Sequence, residues 1–186
     1  MGSIVTKLST AFGSPERIMV LGLGGAGKTT VLYRLKFGTA LPMVTPTVGF
    51  NIETLTPQDG AVFKVWDIGG GSQAKYMWKR CLQQSKGIIY VVDSSDRDRF
   101  DESQEELSFL LDSSNSENIP LVVLANKRDL PGSAASTEVA QALALQEYTG
   151  RRMWHVQTIS ATTGDGLEEA IDILCSFIKD SEQRTR

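Results

Sequence analysis

Residues Gly22-Leu23-Gly24-Gly25-Ala26-Gly27-Lys28-Thr29 place a glycine-rich turn, a lysine and a hydroxyl in an order that suits a phosphate. An apolar run, Ile18-Met19-Val20-Leu21, enters the turn and a helix-like segment from Thr29 to Lys36 leaves it. A strand that ends in such a turn and opens a helix points several backbone N–H groups inward, and the positive end of the helix dipole adds to them. Gly24, Gly25, Ala26, Gly27 and Thr30 are therefore expected to line a β-phosphate. Lys28 is expected to reach the β- and γ-phosphates, and the Thr29 hydroxyl to ligate Mg²⁺.

Further segments extend the constellation along the chain. Asp67-Ile68-Gly69-Gly70 closes an apolar run; Asp67 suits a magnesium ion through water, and the glycines let the Gly70 N–H approach a γ-phosphate. Thr47, after Pro46, offers a second hydroxyl to the metal. Asn126-Lys127-Arg128-Asp129 follows another apolar run. Asp129 can accept from N1–H and N2–H of guanine, a donor pair that adenine lacks, so a buried Asp129 left unpaired against ATP is expected to make the preference for guanine steep. The Lys127 stem can lie along the base. Ser160-Ala161-Thr162 follows the last apolar segment, where the Ala161 N–H can face guanine O6. Any one of these strings is a common polar turn; in this order, each after a strand, they indicate guanine nucleotide binding.

The elements that must hold these residues alternate between strand-like and helix-like, as in an α/β fold with a mainly parallel sheet. Candidate strands are 17–22, 50–55, 61–67, 87–93, 120–126 and 153–160; candidate helices are 28–37, 75–85, 98–112, 136–147 and 166–179. The runs Ile88–Val92 and Leu121–Leu124 are continuously apolar, as expected when both sheet faces are covered. Segment 50–55 alternates instead and is followed by Asp59-Gly60, which predicts an antiparallel hairpin at one edge. Asp165 with Glu168 resembles a reciprocal N-cap for the last helix. Glu102, Glu105 and Glu106 are expected on the wet face of their helix. The sole histidine, His155, reads as structural.

With 186 residues the chain suffices for one full core. Its 22 acidic and 19 basic residues give a net charge of −3, which supplies no footprint for nucleic acid. Cys81 and Cys175 lack metal-like spacing and read as reduced thiols of a cytosolic protein. No apolar stretch approaches the length of a membrane span, and the first twelve residues are too mixed for a secretory signal.

Collinearly, from about residue 1 to 179, the chain resembles an Arf or Arf-like small GTPase of the Ras superfamily. The resemblance is carried by 22–30, by Pro46-Thr47-Val48-Gly49-Phe50-Asn51, by Val65-Trp66-Asp67-Ile68-Gly69-Gly70, by Asn126-Lys127-Arg128-Asp129-Leu130 and by 161–167. It implies a P-loop NTPase small G-domain over 16–180: a six-stranded, mainly parallel sheet with one antiparallel edge strand and helices on both faces. Residues 181–186 would form a short tail. It also implies a monomeric switch, with GTP ordering loops 38–49 and 68–75 and hydrolysis releasing them. An exchange factor, a GTPase-activating protein and effectors would be its partners.

Three departures from the family pattern stand out. Gly71 occupies the position where the family places Gln to orient the attacking water, so hydrolysis is expected to be slow. Gln73 could replace it only if its loop re-registered. A GTP-loaded binding module with negligible catalysis is the alternative, whereas a P-loop kinase fits the Asn-Lys-Arg-Asp string poorly. Gly24 stands where many Arf proteins carry Asp. Phe50 and Trp66 match two of three apolar effector-contact positions, but the third is Cys81.

Met1-Gly2-Ser3-Ile4-Val5-Thr6 matches an N-myristoylation pattern with Gly2 as acceptor. Within 1–15, Ile4, Val5, Leu8, Ala11 and Phe12 share one helical face. One myristoyl chain anchors only marginally; the apolar face can supply a second signal or dock on the protein core, and the resemblance implies both, docked with GDP and released to membrane with GTP. The expected location is cytoplasmic with reversible membrane association.

Overall fold

The computed structural model describes residues 17–39, 82, 85–112 and 118–184, and the backbone of 50–55 and 63–68. Six strands form one sheet: β1 (Arg17–Leu21), β2 (Phe50–Leu55), β3 (Phe63–Ile68), β4 (Ser85–Asp93), β5 (Leu121–Asn126) and β6 (Trp154–Thr158). Their spatial order is β2-β3-β1-β4-β5-β6. The edge pair β2–β3 is antiparallel, with Phe50 opposite Ile68 and Leu55 opposite Phe63, and all other pairings are parallel. The sheet and its antiparallel edge are those expected. The chain moves to one side of β1 for β2 and β3 and to the other for β4, so the switch point of the sheet lies at the end of β1.

Alternation along the strands builds two cores. Ile18, Val20, Ile89, Val91, Val122 and Leu124 face one side and pack against helices α1 (Lys28–Phe37) and α4 (Leu167–Arg184). Met19, Leu21, Ile88, Tyr90, Val123 and Ala125 face the other and pack against α2 (Phe100–Leu111) and α3 (Ser136–Ala142). Successive side chains point to opposite faces, so a strand buried on both sides must be apolar throughout. All six residues of β5 are buried.

Several element boundaries differ from the expected ones for identifiable reasons. β1 stops at Leu21 because Gly22 has φ +138 and the Val91 carbonyl sits where its Cβ would be. The helix expected over 136–147 breaks after Ala142: Ala144 is left-handed at φ +51 and Leu145–Tyr148 is a 3₁₀ turn. Residues two apart on an α-helix point to roughly opposite sides, yet Leu143 and Leu145 are exposed by only 1% and 0%. The break allows both to reach the core. α4 opens at Leu167 with Gly166 at the N-cap, its carbonyl accepting from the Ala170 N–H at 3.2 Å, so Asp165 does not hold the capping position. That helix continues to Arg184, where Glu182 pairs with Lys86 at 3.2 Å.

Glu106 is buried, unlike Glu102 and Glu105, because it falls on the α2 stripe with Ser103, Leu107 and Leu110. Of the helix expected over 75–85, Leu82 is helical and fully buried, whereas Ser85 opens β4; the remainder lies outside the described residues. His155 contacts the Gln157 side chain at 3.2 Å. Among the described residues, no helix is long and apolar enough to cross a membrane.

Candidate functional site

The turn after β1 is shaped by two left-handed glycines. Gly25 and Gly27 are left-handed, at φ +83 and +95, and a Cβ on Gly27 would collide with the Asn126 amide. Ala26 N–H closes the turn on the Leu23 carbonyl at 3.3 Å. Gly27 is then the N-cap of α1, which begins with no side-chain cap and no acidic residue in its first turn. A carboxylate there would compete with a bound anion for the positive end of the helix. Lys28 is 6% exposed and its ammonium is held by the carbonyls of Gly22 at 2.9 Å and Leu23 at 3.0 Å. A buried cation beside a glycine turn that opens an uncapped helix suits an anion such as phosphate. Thr29 and Thr30 follow on α1 and are partly buried.

Asn126 joins this turn to the end of β6. Its Nδ2 donates to the Ala26 carbonyl at 2.9 Å and its Oδ1 accepts from the Ala161 N–H at 2.9 Å. Its own carbonyl accepts from Ser94, from N–H at 3.0 Å and from Oγ at 2.6 Å. Asn126 is 2% exposed, so all of these bonds are made away from water. Sequence reasoning placed Asn126 and Ala161 on the nucleotide. In the structure both also join the two loops, the Ala161 N–H donating to Asn126 Oδ1.

Beyond Asn126, Lys127 turns left-handed at φ +67. Arg128 N–H bonds the Ile159 carbonyl at 3.1 Å and Leu130 N–H bonds the Lys127 carbonyl at 2.9 Å. This fixes the turn so that Asp129 is exposed here, not buried as expected, because the turn stands out beyond the end of β5. The Lys127 ammonium meets Asp93 Oδ2 at 2.5 Å, and Asp93 Oδ1 accepts from Ser95 N–H at 3.0 Å and Oγ at 2.6 Å. Burial alone would raise the Asp93 carboxyl, but the Lys127 ammonium and the Ser95 donors outweigh it and hold the carboxyl below its ordinary value. Ser160 is fully buried and closes a tight turn, its carbonyl accepting from Gly164 N–H at 2.7 Å and its Oγ from Thr163 N–H at 3.2 Å. Thr162 is exposed beside it.

Three residues that the sequence reading passed over touch these loops. Asp93 ends an apolar strand opposite Asn126 in register, which a search for charge at strand ends would have found. Arg99 donates to the Gly24 carbonyl at 2.7 Å and pairs with Glu102 at 2.9 Å. Arg34, on α1, reaches the carbonyls of Ala161 and Thr162. Neither arginine had a sequence signal, since each binds main chain far away in the sequence.

The backbone of Asp67 lies beside Val20 in the parallel β1–β3 pair, next to the start of the phosphate turn. Its side chain lies outside the described residues, as do those of Phe50 and Trp66 and all of Gly2, Thr47, Gly70, Gly71 and Cys81.

Comparison with known proteins agrees with this architecture. The Arl6 (BBS3) small GTPase from Trypanosoma brucei, solved with the bound nucleotide analogue GppNp, superposes with a TM-score of 0.78. At 24% identity, with 93% of this chain and 100% of that one covered, this is a likeness of fold. The sequence matches the ADP-ribosylation factor family over residues 1–178, and the chain belongs to that Arf family of small GTPases.

Proposed function

We propose that the chain is a guanine-nucleotide switch that hydrolyses GTP slowly and recruits effectors at membranes. The observation that carries the nucleotide assignment is the Asn126 side chain, bonded at once to the phosphate turn at Ala26 and to the turn at Ala161. One rigid side chain thus fixes the spacing between a phosphate grip and a base grip, and that spacing selects a nucleotide rather than free phosphate.

Lys28 would neutralise the β- and γ-phosphates. Thr29 and Thr47 would hold Mg²⁺ through their hydroxyls and Asp67 through water; when bound, the ion offsets phosphate charge. The Gly70 N–H would approach the γ-phosphate, and Asp129 would read the two guanine donors. Gly71 has no side chain to hold a water in line, so hydrolysis would rest on positioning and charge from the remaining groups. Phe50, Trp66 and Cys81 would form the effector surface, with the missing third ring implying partners unlike those of the aromatic version.

Single-turnover hydrolysis of bound GTP tests the slow-switch function. Gly71→Gln is expected to raise the rate constant about tenfold or more; an unchanged rate would remove Gly71 as the cause. If the wild type shows no turnover at all over many hours, the protein acts as a GTP-loaded binding module instead. Membrane recruitment is tested separately. Gly2→Ala, expressed in a myristoylating host and loaded with GTP, is expected to lose most of its flotation with liposomes, because the apolar helix face alone binds weakly. Equal flotation of variant and wild type would refute the lipid anchor.

A further inference from the structure

We infer that Arg34 is a positioning residue of the nucleotide site: its guanidinium clamps the loop after β6 to the helix that follows the phosphate turn. Three carbonyls converge on one side chain, two from the loop after β6 and one from the end of α1 itself. Nε donates to the Ala161 carbonyl at 3.1 Å, Nη2 donates to the Thr162 carbonyl, and Nη1 donates to the Gly38 carbonyl at 2.9 Å. The stem passes over Gly164, where a Cβ would stand 3.7 Å from Arg34 Cδ. Gly164 is left-handed at φ +95, a conformation that favours glycine at this turn, and the arginine packs over it at van der Waals distance.

The chemistry suits arginine and no other residue. The planar guanidinium presents donors in a fixed fork, so it can serve several carbonyls at once; a lysine ammonium is a point charge on a flexible stem. Arg34 also lies in the last turn of α1, where the helix dipole favours a cation, and the Gly38 N–H caps the Arg34 carbonyl at 2.9 Å.

The consequence concerns binding rather than bond breaking. Asn126 fixes the inner edge of the Ala161 loop from the β5 side. Arg34 fixes its outer edge, at Thr162, from α1. α1 starts at Lys28, so the helix that carries the phosphate lysine also carries the clamp on the opposite loop. Loosening the outer edge should let the base side of the site open and nucleotide leave, while the groups around the γ-phosphate keep their places.

The test, resting on the guanine-nucleotide function proposed above, is release of N-methylanthraniloyl-GDP from the full-length protein with Mg²⁺, read by stopped flow. Arg34→Met keeps the apolar stem and removes every donor. It is expected to speed release about tenfold while the single-turnover rate constant for bound GTP stays within twofold of wild type. Arg34→Lys retains the charge and can serve one carbonyl at a time, so it should fall between the two and covers the case in which Arg34→Met does not fold. A wild type that fails to bind the probe would remove the nucleotide function itself. A wild type that binds, with both variants releasing at the wild-type rate or differing only in melting temperature, would overturn the clamp.

Discussion

Asp129→Asn is expected to reverse the base preference of the protein. GTP binding should fall by about three orders of magnitude, because the substitution replaces an acceptor of two guanine donors with an amide that presents a donor to one of them. Xanthosine triphosphate, with oxygen at C2, should bind better than GTP to the variant. The geometry supports a large effect. Lys127 is left-handed, and Arg128 N–H and Leu130 N–H are both bonded, so the turn cannot easily swing a different group into place. Asp129 is exposed, so the substitution should leave the fold intact. Calorimetric titration of both triphosphates into both proteins decides it. A variant that still prefers GTP would show that Asp129 does not read the base.

The second large effect is on stability and concerns the entrance to the phosphate turn. Gly22→Ala should destabilise the protein by about 3 kcal/mol or more, since it adds backbone strain at φ +138 to a collision with the Val91 main chain. For a domain of this size that corresponds to a fall in melting temperature of roughly 6–12 °C. Gly24→Ala is the control. Nothing lies within 4 Å of a Cβ there and its φ is not left-handed, so its stability should stay within about 0.5 kcal/mol of wild type. Differential scanning calorimetry of the two variants, side by side, separates steric need from mere glycine content. Equal stability would mean that β1 and β4 can part by more than the sheet pairing suggests.

The sheet could be read from the sequence because burial on both faces leaves an unmistakable mark. Ile88–Val92 and Leu121–Leu124 had nowhere to go but the middle of a covered sheet, and the alternating 50–55 segment had nowhere but its edge. The phosphate turn was equally plain, since Gly22 and Gly27 sit where a Cβ would clash and Gly25 is left-handed. The break at Ala144 was hidden because helical periodicity tolerates one misplaced leucine, and only the packing shows that Leu143 and Leu145 are both buried. Glu106 was misplaced for a related reason: charge suggested solvent, while its helical phase put it on the core stripe.

At the site, sequence motifs named the loops but not what holds them. Asn126 was read as a contact to ligand, and its two bonds to Ala26 and Ala161 became visible only in three dimensions. Arg34 and Arg99 bond to carbonyls, which every residue has, so no side-chain pattern can announce them. Asp93 was the exception that spacing could have found, since it ends its strand opposite Asn126.

A single carboxamide rivets the two jaws of the cradle together through Ala26 and Ala161. Whatever parts the two jaws has to break this one rivet, which lies out of reach of water because Asn126 is 2% exposed.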